Sequence, residues 1–198
     1  MPSVHVIGSG VSGLACAYYL QKAGCDVTVS TASRGCDKNC CSWWAGGMLA
    51  PFCEQESAEP LIGTLGKESM AFWQQLASIT EFNYYANGSL VVAPARDQSL
   101  KRSFERLTQN HQRLDHAQLT ALEPDLDHFQ QGLFYPDEAH IQPRLATKVL
   151  WDELGRMNVT LNTEHYLDEV SLANGRKHYD WQIDCRGLAA QSILDDLR

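Results

Sequence analysis

The sequence predicts an α/β protein: a domain with a parallel sheet, interrupted by part of a second domain built on antiparallel strands. Three observations predict it. The chain opens with a strand, a glycine-rich turn and a helix. A second, β-branched strand follows at once. A helix and turn-bounded strands then separate this opening from a later helix and further strands. The first domain is therefore expected to be discontinuous, residues 1–80 and 140–198, with the inserted domain at 81–139.

Val4-His5-Val6-Ile7 is a short apolar run that reads as the first strand, and Leu14 to Leu20 reads as a helix. Between them, Gly8-Ser9-Gly10-Val11-Ser12-Gly13 has the GxGxxG spacing of a dinucleotide-binding unit. Gly8 permits the tight turn, Gly10 lets backbone approach a pyrophosphate, and Gly13 allows close helix–strand packing. The phosphates would sit on free N–H groups at the positive end of the helix dipole. Gly24 marks the helix end, and Val27 to Ser30 is the second strand, completing a βαβ half.

Thr31 to Cys41 is polar and reads as a loop. Ser42 to Pro51 is small and apolar, with Trp43 and Trp44 before the paired Gly46 and Gly47. By composition it is either a buried turn closed by tryptophans or part of a ligand site. Thr64 to Ile79 is an amphipathic helix, with Leu65, Phe72 and Leu76 on one face. Phe82–Ala86 and Ser89–Ala93, joined by Asn87-Gly88, read as a hairpin with a type I′ turn. Asp97 to Gln112 reads as a charged helix. Asp115 caps a short helix that runs through Leu122 and stops at Glu123-Pro124. Gly132 to Tyr135 is a strand. Pro143 opens a helix with Leu145, Val149, Trp151 and Leu154 on its buried side. Val159 to Leu161 is a strand, Asn174-Gly175 a turn, and Tyr179 to Cys185 a strand ending at Arg186-Gly187.

With 198 residues, 44% of them apolar, the chain has the length and composition of one domain or one and a half. A net charge of −8 with no basic stretch argues against nucleic acid as a partner. No run approaches the ~20 apolar residues that cross a bilayer, and the chain enters its first strand without a leader, so a cytoplasmic protein is expected. The seven cysteines, an odd number without an export signal, are expected to be reduced. Cys36, Cys40, Cys41 and Cys53 cluster, but their spacing lacks the C-x2-C knuckles of structural zinc sites, so no metal is expected.

The identity of the nucleotide is less direct. About 20 residues beyond the glycines, where such folds place an acid on the adenosine ribose, stands Thr31, and Asp26 comes too early. Ser30, Thr31 or Ser33 could hydrogen-bond the ribose, at the loss of a charge-assisted contact of ~1.5–3 kcal/mol. Arg34 opens the other option, a 2′-phosphate and hence NADP.

Taken together the motifs resemble the D-amino acid oxidase-like family of FAD-dependent amine oxidases, most closely its glycine oxidase branch, associated with thiamine biosynthesis. V-I-G-S-G-V-S-G-L-A-C-A-Y-Y-L at the start is similar to the family's FAD fingerprint, and S-W-W-A-G-G-M-L-A-P at 42–51 to its second motif. N-G-S-L-V-V-A at 87–93, L-E-P-D-L at 122–126, H-I-Q-P-R at 140–144 and D-C-R-G-L-A-A at 184–190 fit later family segments. The resemblance implies a Rossmann-like FAD-binding domain at 1–80 and 140–198, with part of a substrate domain at 81–139. It implies that Gly8, Gly10, Val11, Ser12 and Gly13 cradle the pyrophosphate. Thr31 and Ala32 would lie by the adenosine ribose, Cys41 and Ser42 by the phosphates or ribityl chain, and Gly46, Gly47 and Met48 along the isoalloxazine. Such oxidases take a hydride from the α-carbon of a small amino acid or amine and pass the electrons to O₂.

The sequence departs from the family in two ways. Thr31 stands where the family has Glu or Asp, and the family's chains continue for about as long again beyond Arg198. That part would hold the carboxylate-binding arginine and the active-site tyrosine, so no catalytic residue is assigned, and His140 is read as structural. The alternatives are a catalytically inactive FAD- or nucleotide-binding module that pairs with a partner chain or homo-oligomer, and an NADP-linked reductase.

Overall fold

The computed structural model describes residues 1–33, 35–163 and 178–190. Arg34, the Asn174-Gly175 turn and the last eight residues lie outside them. The first half contributes β1 (Ser3–Ile7), α1 (Val11–Lys22), β2 (Asp26–Ser30), β3 (Met48–Leu49), α2 (Pro60–Ile79), β4 (Tyr84–Tyr85) and β5 (Ser89–Val91). The second contributes α3 (Gln98–Leu107), β6 (Gln112–Asp115), α4 (His116–Leu122), β7 (Gln131–Tyr135), β8 (Ala139–Ile141), α5 (Pro143–Arg156), β9 (Thr160–Asn162) and β10 (Trp181–Asp184). None of the described helices is long and apolar enough to cross a membrane.

The chain divides into two compact units, one made of Met1–Gly46 and the residues from Gln142 onward, the other of Gly47–Ile141. The division falls at 46/47 and 141/142, whereas the sequence reading placed it at 80/81 and 139/140. The reason is α2, whose Phe72, Trp73 and Leu76 are buried in the second unit with Phe82. Phe72 and Trp73 meet edge-on at 4.9 Å, and Trp73 meets Phe82 at 6.2 Å.

Among the described residues, the first unit holds a four-stranded parallel sheet in the order β10-β1-β2-β9. Sheets of this kind are covered on both faces. Accordingly β1 and β2 are buried at successive positions, the apolar Val4, Val6, Ile7, Val27 and Val29 together with the polar His5, Thr28 and Ser30. The buried sides of α1 (Leu14, Ala17, Tyr18) and α5 (Ala146, Val149, Leu150, Leu154) complete this core. One polar line crosses the sheet: the His5 imidazole makes hydrogen bonds with Ser30 Oγ at 2.8 Å and with the Gln182 amide nitrogen at 3.2 Å.

The second unit holds two three-stranded antiparallel sheets, β3-β8-β4 and β5-β7-β6. The expected hairpin at Asn87-Gly88 does not form. β4 pairs with β8, β5 pairs with β7, and Asn87 is not among the residues with positive φ. Gly88 instead donates its N–H to Glu138 O at 3.0 Å, with φ +77°, and packs so tightly on Phe134 that a Cβ would fall 2.4 Å from the ring. A glycine required by close packing thus mimicked a turn signal. The capping role of Asp115 is present: its carboxylate accepts the Gln118 N–H at 2.9 Å, and Gln118 Oε1 accepts the Asp115 N–H at 3.0 Å. Glu138, 1% exposed, accepts the N–H groups of Phe52 (3.1 Å) and Cys53 (2.8 Å) and the Cys53 thiol (3.3 Å), pinning the turn that follows β3.

Candidate functional site

The first unit carries a cavity of about 450 Å³ at the carboxyl end of its sheet. This lies within the range of roughly 300–1,000 Å³ typical of small-molecule sites. Residues Ile7–Ser12, Ser30–Ser33, Asp37, Asn39–Ser42 and Cys185–Ala189 line it, with residues 31 and 32 lying immediately beyond β2. β2 lies on one side of β1 and β10 on the other, so the chain order reverses at β1. Ligands of open α/β sheets bind at such switch points, outside the carboxyl ends of the strands.

The glycines shape the cavity in different ways. Gly8 has φ +114° and donates its N–H to Ser30 O at 2.9 Å; a Cβ there would lie 2.5 Å from Cys185 O. At Gly13 a Cβ would lie 2.0 Å from Gly8 O, so this position presses α1 against the end of β1. Gly10 is the helix N-cap in ordinary extended geometry, φ −69° and ψ 172°. A Cβ on it would point at side chains, Cys40 Sγ at 3.3 Å and Ser42 Oγ at 3.4 Å. Its bareness therefore serves the cavity more than the fold.

The first intrahelical bond of α1 runs from Leu14 N–H to Gly10 O at 3.0 Å, which leaves the amides of Val11, Ser12 and Gly13 without helical partners. Ser42 Oγ accepts the Val11 N–H at 3.0 Å, fixing the loop against the helix start. The Ser12 and Gly13 amides remain, at the end of the helix whose dipole favours an anion.

Thr31 is 7% exposed and its hydroxyl lies 2.7 Å from Ser9 Oγ. Ser9 spends its single hydroxyl proton on Gly35 O at 2.9 Å. Thr31 must then be the donor to Ser9, which leaves the Thr31 oxygen able to accept a hydrogen bond from a ligand hydroxyl. In the wall formed by Cys185–Ala189, Arg186 grips Asp184 through two nitrogens, at 2.9 and 2.6 Å, and holds that carboxyl below its usual range. Burial raises the Cys185 thiol to about 11, helped by neighbouring Cys16 and Asp184.

Of the residues singled out in the sequence, Gly8, Gly10, Val11, Ser12, Thr31, Ala32, Cys41 and Ser42 line this one cavity, and Gly13 packs directly behind it. Gly46 closes the first unit. Gly47, whose carbonyl accepts the Ile141 N–H at 2.9 Å, and Met48, 65% exposed in β3, belong to the second unit. Sequence reasoning missed Ser9, Asp37, Asn39, Cys40 and the wall at Cys185–Ala189 as site residues. A signal for the last was available: Gly187, at φ +60°, closes β10 with a turn, as Gly8 closes β1.

The bare Gly10, the two amides and the acceptor hydroxyl fit a nucleoside diphosphate. Comparison with known proteins agrees with this geometry. A Rhizobium etli protein named as a candidate thiamine biosynthesis oxidoreductase, ThiO, is 36% identical over 198 residues, spanning 98% of this chain and 57% of its own. Glycine oxidase from Bacillus cereus superposes with a TM-score of 0.68 at 18% identity, over 85% of this chain and 49% of its own. Glycine oxidase from Geobacillus kaustophilus gives 0.69 at 19%, over 83% and 47%. The iminodiacetate oxidase of a Chelativorans species gives 0.66 at 21%, over 81% and 46%. At such identities these structures share the fold, and the chain spans about half the length of the relatives it matches. The FAD dependent oxidoreductase family model matches residues 3–197, nearly from end to end, and the chain belongs to that family.

Proposed function

We propose that this chain binds FAD and supplies the nucleotide-holding part of an oxidoreductase acting on the C–N bond of a small amino acid or amine, in the manner of a glycine oxidase. The observation that carries the reading is the cradle at the start of α1, where bare Gly10 and Ser12 line a cavity of nucleotide size and the Ser12 and Gly13 amides are left without helical partners. The Ser12 and Gly13 amides hold the pyrophosphate, Ser42 keeps the loop seated on Val11, and the Thr31 oxygen accepts a ribose hydroxyl. Gly46, Gly47 and Met48 are assigned to the isoalloxazine on the resemblance of their segment. Bound FAD supplies the acceptor for the substrate hydride, and the protein's part is to hold and orient.

The test is a titration of the purified chain with FAD and with ADP by calorimetry, alongside oxygen uptake on glycine, sarcosine and D-alanine. Binding of both nucleotides with oxygen consumption supports the full reading. Binding without oxygen consumption supports a nucleotide-binding module that acts with another chain. Failure of both nucleotides to bind overturns the proposal.

A further inference from the structure

Asn87-Gly88 forms no hairpin turn, but an Asn-Gly pair carries a chemistry of its own. The amide nitrogen after an asparagine can attack that residue's side chain, and glycine, with no Cβ, leaves the approach open. Asn87 is exposed, in the short connection between β4 and β5. The nucleophile is the guarded half of the pair. Gly88 donates its N–H to Glu138 O at 3.0 Å, and the Glu138 carboxylate is itself held by the amides of Phe52 and Cys53. Gly88 also has φ +77°, and a Cβ on it would lie 2.4 Å from the Phe134 ring and 2.7 Å from Tyr135 O. All these groups belong to the second unit.

We propose that Asn87 is a latent deamidation site that the fold keeps shut, and that its isoaspartate product no longer fits the place. Neither half depends on the nucleotide reading of the cavity. In the reaction the Gly88 nitrogen gives up its proton and bonds to Asn87 Cγ. The carboxamide C–N bond breaks, the proton ends on the departing ammonia, and a succinimide ring closes. Water then adds to one of the two ring carbonyls, and the ring opens there to aspartate or isoaspartate. One water enters, one ammonia leaves, and nothing is oxidised or reduced.

The first step needs the same event as exchange of the Gly88 amide proton: the bond to Glu138 O must open and the nitrogen must turn toward the Asn87 side chain. A hydrogen-bonded amide in a packed segment is released only when that segment opens, so the folded chain reacts at the unfolded rate multiplied by its open fraction. The same contacts exclude isoaspartate. Its main chain runs through the former side-chain carbon, one bond longer, and a carboxylate replaces a neutral amide. Gly88 is already packed too closely for one added carbon, so the longer chain displaces it from Phe134 or from Glu138 O.

The experiment uses the full chain as Asn174→Gln, which silences the other Asn-Gly pair. It is incubated at mildly alkaline pH with and without denaturing urea. Peptides are mapped by mass spectrometry for conversion at Asn87, and isoaspartate is labelled with an isoaspartyl methyltransferase. Asn87 is expected to convert at least about tenfold more slowly in the folded chain, an opening free energy of at least about 1.4 kcal/mol. Equal rates with and without urea overturn the guard. Phe134→Ala, which removes the ring packed on Gly88, is expected to convert at least about threefold faster than the parent without urea, and at the parent's rate with it. Parent-like protection in Phe134→Ala overturns the role of that contact. Aged folded protein is then separated by anion exchange on its added charge. The isoaspartate fraction is expected to melt at least about 4 °C below the unreacted one. A fraction that melts with the unreacted protein overturns the misfit.

Discussion

Gly10→Ala and Gly13→Ala should behave as opposites, although both change one hydrogen to a methyl in the same six-residue turn. At Gly13 the new carbon would stand 2.0 Å from Gly8 O, a backbone atom fixed by its neighbours. Relieving that contact needs a shift of more than an ångström between α1 and β1, at or beyond the upper end of overpacking costs, about 3 kcal/mol. At roughly 2–4 °C per kcal/mol for a chain of this size, the melting temperature falls by about 6–12 °C. At Gly10 the backbone already suits alanine, and the atoms met at 3.3 and 3.4 Å are the ends of Cys40 and Ser42 side chains. The gain of about 0.4–1 kcal/mol from a stiffer unfolded chain is offset by a poorer N-cap, so stability changes by less than about 1 kcal/mol. The methyl, however, occupies the place a phosphate must reach, and ADP affinity should drop at least about tenfold, or 1.4 kcal/mol. Circular dichroism melts and calorimetric ADP titrations read the two effects separately. A Gly10→Ala protein that melts as early as Gly13→Ala, or binds ADP like the parent, refutes the division of labour between these glycines.

Thr31→Val removes the donor to buried Ser9 and should cost about 1–2 kcal/mol by thermal melting, with weaker adenosine binding. Asp184, held low by the Arg186 hydrogen bonds, and Glu105, held low by its bond to Arg113, have folded pKa values below their unfolded ones. Their stabilisation is complete above the ordinary carboxylate range near pH 4 and is lost as pH falls through the lowered folded values. Melting temperatures measured from pH 5 to pH 3 should therefore fall less steeply in Asp184→Asn than in the parent. Glu138→Ala strands the Phe52 and Cys53 amides in a buried site and should destabilise by about 2–4 kcal/mol in urea unfolding. In timed alkylation, exposed Cys41 should react first. Cys53 should react last, its thiol raised by burial and by the adjoining Glu138 charge.

The parts of this molecule that could be read from sequence are those whose cause is local. The β1–α1–β2 unit is written within thirty residues, and the cradle follows from glycine spacing and the free amides of a helix start. The capping of α4 is likewise contained in Asp115 and Gln118. The misread parts depend on partners far along the chain. Asn87-Gly88 looked like a hairpin turn because nothing nearby announces Phe134 and Glu138, the groups that fix Gly88. β6 is not read as a strand, its first residue Gln112 being taken as the end of the charged helix and its last, Asp115, as the next helix's cap: Gln112–Asp115 carries one buried residue, Leu114, and becomes a strand only through β7. The Cys185–Ala189 wall was legible as a strand end but not as part of the site, since only the register of β10 on β1 places it there.

That register sets a timing problem for a ribosome. Ser3 donates to Asp180 from 177 residues away, and β1 cannot gain its outer neighbour until that length has been translated. At about 5–20 residues per second the wait is on the order of ten to thirty seconds. Throughout it, one edge of a hydrophobic strand stands open beside an unfinished neighbour. A nascent chain of this design needs shelter for that interval, and shortening Gly47–Ile141 would relieve the delay without touching a single residue of the cradle.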